Sequence, residues 1–513
     1  MASPNSGNGL RSRGMSQADL AASSYPFLEQ SAQGRPLCVD LDGTLVGTDT
    51  LWEGVVGMLR QRPWLALLVP FWMLSGRAGF KRKISSHISI DAAALPYREG
   101  LVNALRATRQ AGRKVVLATA ADRHVAQSVA AHVELFDEVF SSDGGENLKA
   151  ERKKQRLIEA FGEGGFDYVG DSRADLPIFE SAGQGFLINA SPGVAARASR
   201  SKKVTVLSRR PSLAAAMFRE LRVHQWAKNA LVLLPLAASP RVPTPDTVAR
   251  GLLAALAFSL CASAGYVIND LLDLSADRQH GTKKQRPFAS GALPVVLGPP
   301  LLAVLLAVSF GISLGLLPLS FTLMLGLYFV GTMAYSLELK RKLLLDVVTL
   351  AGLYTHRILS GGIATAVPIS AWLLGFSLFF FLSLAFAKRY VEILPLAVGG
   401  RIKNRAYYQV DLQNVASMGI ASGYLAALVF TLYVENGTHP GAYREPRLLW
   451  LLVPVLLYWV SRVWILAGRG EMQDDPVRFA LRDRISLMCA VMIGALAALA
   501  RFTPSWLSGW LHS

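Results

Sequence analysis

From Gly251 to Ile268 the chain runs eighteen residues without a charged side chain. A helix of that length, rising about 1.5 Å per residue, crosses most of the hydrocarbon core of a bilayer. The pattern recurs: apolar helices are expected at 228–240 (short), 249–269, 293–311, 314–335, 346–366, 370–388, 413–434, 448–467 and 485–503, about nine in all. Residues 1–222 carry no such series and read instead as a soluble α/β unit. With 513 residues, 52% of them hydrophobic, the chain is long enough for two domains and too apolar for two soluble ones. The expected architecture is multidomain: a soluble Rossmann-like α/β domain followed by an all-α polytopic membrane domain.

The net charge of +17 is distributed between the apolar helices, which argues against nucleic acid as a partner and for a bilayer. On one side the connections carry Arg278, Lys283, Lys284, Arg286, Lys340, Arg341, Lys342, Arg401, Lys403, Arg405, Arg469, Arg478, Arg482 and Arg484. On the other they carry only Arg241, Arg250, Arg444 and Arg447. That asymmetry predicts a multi-pass protein of the inner or plasma membrane with its N-terminal domain in the cytoplasm and, for an odd number of helices, an outside C-terminus. Met1 to Leu20 has no apolar core of seven or more residues, so no signal peptide is expected. Cys38, Cys261 and Cys489 are odd in number and set in apolar surroundings, which fits core residues better than disulfides. The boundaries expected are a mobile Ser/Gly/Ala-rich tail at 1–34, the α/β domain at 35–205, a linker or interfacial helix at 206–222, and the membrane domain at 223–510.

In the α/β part, the apolar run Leu37 to Val39 ends in Asp40, Leu41, Asp42, Gly43 and Thr44. Two more strand-like runs follow: Lys114 to Ala118 leads into Thr119, and Phe166 to Val169 leads into Gly170, Asp171 and, four residues on, Asp175. In an open parallel sheet the loops at the carboxyl ends of the strands meet in one crevice, so these residues are expected to converge, with Lys153 or Lys154 reaching the same place. Such a set suits phosphoryl transfer through an aspartyl-phosphate. Asp40 attacks phosphorus, and Asp42 protonates the leaving oxygen and later activates water. Thr119 and the lysine bind phosphoryl oxygens. Asp171 holds Mg²⁺ beside Asp40, with Asp175 as second ligand or orienting group, and Asp42 is counted in the same metal set.

The stretch Asn269 to Pro287 follows the second apolar helix and opens with Asn269, Asp270, Asp273 and Asp277. At about 100° per residue these four fall within roughly a 100° arc if the helix continues, so their oxygens converge. Oxygen-only ligands suit Mg²⁺, which bridges carboxylates to substrate phosphates, and the implied ligand is a diphosphate. Lys283, Lys284, Arg286 and Arg278 supply the cations that a departing pyrophosphate requires. A loop serving only topology needs these cations but has no use for an acidic stripe.

The first half resembles the haloacid dehalogenase superfamily of phosphohydrolases, with DLDGT (40–44), Thr119, Lys153 and GDSRAD (170–175) as its four motifs. Lys153 matches better than Lys154 because Leu157 then falls where a hydrophobic residue follows. The resemblance implies a helical cap over 50–98 that sets substrate choice. Its apolar run Trp64 to Leu74 is too short and proline-broken to span a bilayer; it either packs as a cap core or faces lipid or the membrane domain.

From about Arg222 to Pro504 the chain resembles the UbiA superfamily of intramembrane prenyltransferases. That superfamily carries a second acidic motif after the fourth helix; here the loop has Asp346 and the consecutive cations Lys340, Arg341 and Lys342. One acidic and one basic motif suit a Mg²⁺-bound diphosphate together with a second anion such as a lipid monophosphate. The departure resembles the decaprenyl-phosphate phosphoribosyltransferase branch, through HQWAKN (224–229), NDLLDLSADR, TKKQRP, YSLELK (335–340, opening on Tyr335), Asp346, Arg357 and AKRYVE (387–392). That resemblance implies phosphoribosyl diphosphate as donor and a polyprenyl phosphate lipid as acceptor. Asp270, Asp273 and Asp277 would then hold Mg²⁺ and the donor, and Lys228, Lys283, Arg286, Lys340, Arg357, Lys388 and Arg389 would bind phosphates or the acceptor head group. His280 followed by Gly281 departs from the usual His-Pro.

The fusion suggests consecutive steps, with the Asp40 site removing a phosphate from the lipid-linked sugar made by the membrane domain. Two other classes stay open: a prenyltransferase using an isoprenoid diphosphate with a regulatory phosphatase-like domain, and a transporter or scaffold with intramembrane carboxylates.

Overall fold

The computed structural model of the protein describes residues 34–502, apart from 63, 66–67, 75, 144–146, 240–241, 403–404, 438–442 and 473–475. The tail expected at 1–34 except Gly34, the loop cations Arg241 and Lys403, and the end of the membrane domain at 503–510 lie outside the described residues. The chain divides into two compact units: residues up to Glu220 together with Val267–Leu301, and Leu221–Tyr266 together with Leu302–Ser513.

The first unit is built on a six-stranded sheet, β1 (Leu37–Val39), β2 (Val115–Asp122), β3 (Glu138–Ser142), β4 (Asp167–Gly170), β5 (Gly185–Leu187) and β6 (Val204–Val206). Every pairing is parallel, in the order β3-β2-β1-β4-β5-β6. Helices cover both faces, which is why the strands read as continuous apolar runs. Alternate residues enter opposite cores. Leu37 and Val39 pack with Leu117, Val169 and Phe186, whereas Cys38 packs with Val116, Tyr168 and Leu187. The three expected strands are β1, β2 and β4, adjacent in the sheet, so the loops at their carboxyl ends face one crevice.

Between β1 and β2 lie the cap helices Thr50–Gln61, Val69–Met73 and Gly76–His87. Asp49 caps the first by accepting from the Leu51 amide at 3.0 Å. Val55, Met58, Leu65, Phe80 and Ile84 form the cap core, with Trp72 packed against it. Trp64, Phe71 and Leu74 are 65%, 68% and 84% exposed, so the apolar run divides between a packed core and an open face. The unit also contains the end of the helix Pro245–Leu272, the short helix Leu274–Arg278 and the 3₁₀ turn Lys283–Gln285.

The second unit is helical. Among the described residues seven helices are long and apolar enough to cross a membrane: Pro245–Leu272, Val295–Leu316, Leu319–Leu337, Ala371–Ile393, Gln409–Glu435, Pro446–Gly468 and Arg484–Phe502, the first two of which contribute residues to the first unit. Leu345–Thr365 is comparable in length but carries Asp346, His356 and Arg357. The segment expected as a short helix at 228–240 is instead a 3₁₀ stretch, Val223–Leu233, followed by the five-residue helix Leu234–Ala238. Pro235 sits in the first turn of that helix and the backbone never settles into a long α-helix. The expected count of nine crossings is therefore not confirmed: seven helices among the described residues have the length and composition of a span.

Candidate active sites

The loops after β1 and β4 bring three acids together. Single ligand oxygens of Asp40, Asp171 and Asp175 lie within 4.8 Å of one another, all in buried residues. Lys153, 3% exposed, donates from Nζ to Asp40 Oδ1 at 2.8 Å and to the Tyr168 hydroxyl at 3.0 Å. Tyr168 in turn donates to Asp175 Oδ1 at 2.9 Å. Lys154 pairs instead with Glu151 on the helix surface, so geometry favours Lys153. Thr119 is fully buried, its Oγ1 accepting from the Ala121 amide at 3.0 Å. Gly43 has φ of +79°, and a Cβ there would overlap the Asp171 carboxylate, so only glycine fits between the two loops. Asp42, expected in the metal set, lies outside it: its Oδ1 accepts from the Thr50 amide at 2.8 Å, which leaves it suited to proton transfer.

Burial pushes Asp40 up to about 6, with Asp175 adding to the rise and Lys153 opposing it. Burial and the charge of Asp49 push Asp42 up to about 7. Burial, then Asp175 and Asp40, raise Asp171 well above the carboxylate range, against Arg210 at 3.2 Å. For Lys153 burial acts downward, yet Asp40 and Asp175 outweigh it and the ammonium is held. Three repelling carboxylates this close fit a divalent cation, which would relieve the repulsion.

The sign of the resulting pH effect follows from linkage. Carboxyls whose folded values exceed an unfolded value near 3.8 contribute stability that is complete below that value and is lost as pH rises through about 6 to 7. In chelator, the thermal midpoint of this unit is expected to fall between pH 6 and pH 8, and Mg²⁺ added at pH 8 should restore it. A midpoint indifferent to both changes contradicts the acid cluster as a cation site.

The second acidic set lies in the same unit. The helix Pro245–Leu272 ends beside Asp273, but Asp273 N to Asn269 O (2.9 Å) and Asp277 N to Asp273 O (2.8 Å) carry helical hydrogen bonding across the junction. Asp270 and Asp277 therefore share a side, and Arg286 Nη1 bridges them at 2.9 and 2.6 Å. Burial raises Asp277 first, helped by Asp270 and opposed by Arg286. The three-carboxylate grouping expected of Asp270, Asp273 and Asp277 is not assembled as at Asp40; a guanidinium stands between two of the acids. Arg286 supplies there the positive charge that the paired acids need, the same charge a bound cation would supply. Lys283 is exposed in its 3₁₀ turn. Arg278, expected at the diphosphate, is taken up elsewhere: its guanidinium binds Glu53 at 2.6 and 3.1 Å.

In the second unit Asp346, fully buried, is held by Arg389 Nε at 2.6 Å, the Tyr407 hydroxyl at 2.7 Å and Arg405 Nη1 at 3.4 Å. Arg389 also meets Glu392 at 2.5 Å, and Arg389 and Arg405 both donate to the Tyr335 hydroxyl at 3.4 Å. Arg357 donates to Asn229 Oδ1 at 2.9 Å and to the Tyr328 hydroxyl at 2.8 Å, and stacks over the rings of Tyr328 and Tyr354. Lys228 lies in the 3₁₀ stretch one residue before Asn229, Lys340 in the turn Leu339–Arg341, and Lys388 beside Arg389 on Ala371–Ile393. Arg405, Tyr407 and Glu392 were not singled out from sequence as site residues. Their spacing from Asp346 carries no local signal, although Glu392 closes the AKRYVE stretch.

Removing one partner of a buried ion pair costs about 3–5 kcal/mol, because the remaining charge is left unpaired. Asp346→Ala is therefore expected to lower the melting temperature of the detergent-solubilised protein measurably. Asp246→Ala, which breaks an exposed pair with Arg250 at 44% and 68% exposure, should not. Equal melting temperatures for the two variants contradict a central role for Asp346.

Residues 230–488 match the model of the UbiA prenyltransferase family, and residues 37–180 match that of the haloacid dehalogenase-like hydrolases. A Sinorhizobium fredii protein, uncharacterized protein y4nM, is 37% identical over 475 residues, covering 91% of each chain. Decaprenyl-phosphate phosphoribosyltransferase of Mycobacterium tuberculosis is 31% identical over 300 residues, covering 57% of this chain and 96% of its own. The structure of a UbiA homolog from Archaeoglobus fulgidus bound to DMAPP and Mg²⁺ overlays at 13% identity with a TM-score of 0.42, covering 55% of this chain and 99% of that one.

Proposed function

This chain belongs to the UbiA prenyltransferase family and carries a haloacid dehalogenase-like hydrolase domain in its N-terminal part, and from that premise we propose that it carries out two consecutive reactions on one lipid. In the first, 5-phosphoribose passes from phosphoribosyl diphosphate to a polyprenyl phosphate. The bond between C1 and the diphosphate oxygen breaks, a lipid phosphate oxygen bonds to C1, and pyrophosphate leaves. Asp270 and Asp277 would hold a divalent cation, with Asn269 and Asp273 flanking them. Arg286 and Lys283 would neutralise the leaving group. Mg²⁺ at this position supplies charge neutralisation of the diphosphate. Lys340, Lys388, Arg389 and Tyr335 receive the acceptor phosphate, and Lys228 and Arg357 line the approach. An apolar surrounding excludes water from C1.

The observation that carries this reading is the neutralised Asp346. A second metal-binding acid would have to be open to a cation, whereas Asp346 is enclosed by Arg389, Arg405 and Tyr407. An acid so enclosed supports an anion-binding second half, and the 31% identity to a phosphoribosyltransferase over nearly its full length supports the same donor.

In the second reaction the 5-phosphate on the lipid-linked ribose is hydrolysed. Asp40 attacks phosphorus while Asp42 protonates the departing ribose oxygen; Asp42 then takes a proton from water, which attacks the aspartyl-phosphate and releases inorganic phosphate. Lys153 and Thr119 orient the phosphoryl oxygens, and Asp171 and Asp175 complete the cation site. We assign the first reaction to 223–510 and the second to 35–205, with the soluble domain on the cytoplasmic side.

Purified protein given phosphoribosyl diphosphate, polyprenyl phosphate and Mg²⁺ is expected to form lipid-linked ribose, read by mass spectrometry of the lipid extract. Product formed only from an isoprenoid diphosphate and an aromatic acceptor rejects the donor assignment.

A further inference from the structure

Arg278 belongs by sequence to the acidic-motif segment, one residue after Asp277, yet its side chain enters the phosphatase-like fold. The guanidinium makes a fork with Glu53, 2.6 Å to Oε1 and 3.1 Å to Oε2, and it also donates to the carbonyls of Ala94 at 3.3 Å and Ala289 at 3.1 Å. The two charged side chains are only 8% and 10% exposed. A planar, bidentate and largely desolvated pair of this kind fixes orientation as well as charge.

Glu53 is not an isolated anchor. It stands in the first turn of Thr50–Gln61, and its Oε1 also accepts from the Thr48 hydroxyl at 2.6 Å. The Thr48 carbonyl accepts from the Gly43 amide at 3.1 Å, and the Thr50 amide donates to Asp42 Oδ1 at 2.8 Å. The loop that aims Asp42 is thus tied at both ends to the turn that Glu53 holds. Two further contacts join the same segments: Arg60 Nη1 donates to Ser275 Oγ at 2.9 Å, and Gly291, at φ of +74°, lies so near Gly47 that a Cβ would overlap its carbonyl oxygen.

We propose that Arg278 is a positioning residue for the phosphatase-like site, lent by the acidic-motif segment and acting through Glu53 and Thr48 on the loop that carries Asp42. This rests on the reading of Asp40 and Asp42 as the hydrolytic pair. Asp277 and Arg278 are neighbours on one five-residue helix, so the element that presents the acid motif also completes the hydrolytic loop.

The test uses the full chain in detergent with Mg²⁺ and p-nitrophenyl phosphate as the probe monoester. Arg278→Gln is expected to lower kcat by on the order of 10²-fold, the effect of displacing a reacting group by about an ångström, with KM unchanged. Arg278→Lys, which keeps the charge but not the fork, should fall between. Hydrogen exchange is read in parallel: amides of residues 43–53 should exchange faster in Arg278→Gln while those of β1 and β2 stay as slow as in the parent, which separates local release from failure to fold. Exchange in 43–53 that matches the parent overturns the proposal. If the parent chain hydrolyses no monoester, the hydrolytic reading fails, and the exchange comparison still decides whether Arg278 holds the loop.

Discussion

Asp40→Asn is expected to stop the reaction sequence at a lipid that is one phosphate heavier than the product of the parent chain. The substitution keeps the size of the side chain and its ability to accept from Lys153, but an amide oxygen is too poor a nucleophile to form the phosphoryl intermediate. Loss of a covalent nucleophile lowers turnover by on the order of 10⁴-fold or more. Transfer itself should be unaffected, since Asp40 takes no part in the cleavage at C1. Mass spectrometry of the lipid fraction then separates the two halves in one measurement. The same lipid from Asp40→Asn and the parent means that the phosphatase-like site acts on something else.

Replacing Asp270 and Asp277 together by alanine should have the complementary effect: no lipid-linked sugar at all, phosphorylated or not. Both carboxylates reach one nitrogen of Arg286, and under the proposed reading their removal deletes the cation site for the diphosphate. Losing preorganised charge stabilisation at a leaving group costs on the order of 10³-fold. Arg286 then remains beside the donor without its acids, so binding of phosphoribosyl diphosphate should weaken less than turnover falls. Hydrolysis of p-nitrophenyl phosphate should persist in this variant, because Lys153, Asp171 and Asp175 are untouched. Undiminished transfer would falsify the assignment of the acidic motif.

The Asp40 cluster was the more legible of the two candidate sites in the sequence, for a topological reason. A parallel sheet delivers strand ends to one crevice, so Asp40, Thr119 and Asp171 needed only three short apolar runs to be placed together. Lys153 followed from the position of Leu157, which is fully buried and fixes which face of its helix turns inward. The membrane part gave up its long helices readily, since length and the absence of charge are sufficient signals. It misled at 228–240, where an apolar composition hid a 3₁₀ stretch and a proline.

Contacts that cross large sequence distances were the least legible. Arg405 and Tyr407 reach Asp346 from 59 and 61 residues away, and Glu53 meets Arg278 across 225. Periodicity says nothing about such pairs. Arg278 was grouped with Arg286 because both follow the acids; in the fold Arg278 points about 100° away from its helix neighbour Asp277, and the two guanidiniums serve different partners. Asp42 illustrates a finer limit. It was expected in the metal set with Asp40, but its carboxylate accepts from the Thr50 amide.

Pyrophosphate release gives the most direct reading of the transfer step. With polyprenyl phosphate and Mg²⁺ present, phosphoribosyl diphosphate should release one pyrophosphate for each lipid-linked ribose formed, and omission of either the lipid or the cation should abolish release. Pyrophosphate liberated from an isoprenoid diphosphate, with none from phosphoribosyl diphosphate, contradicts it.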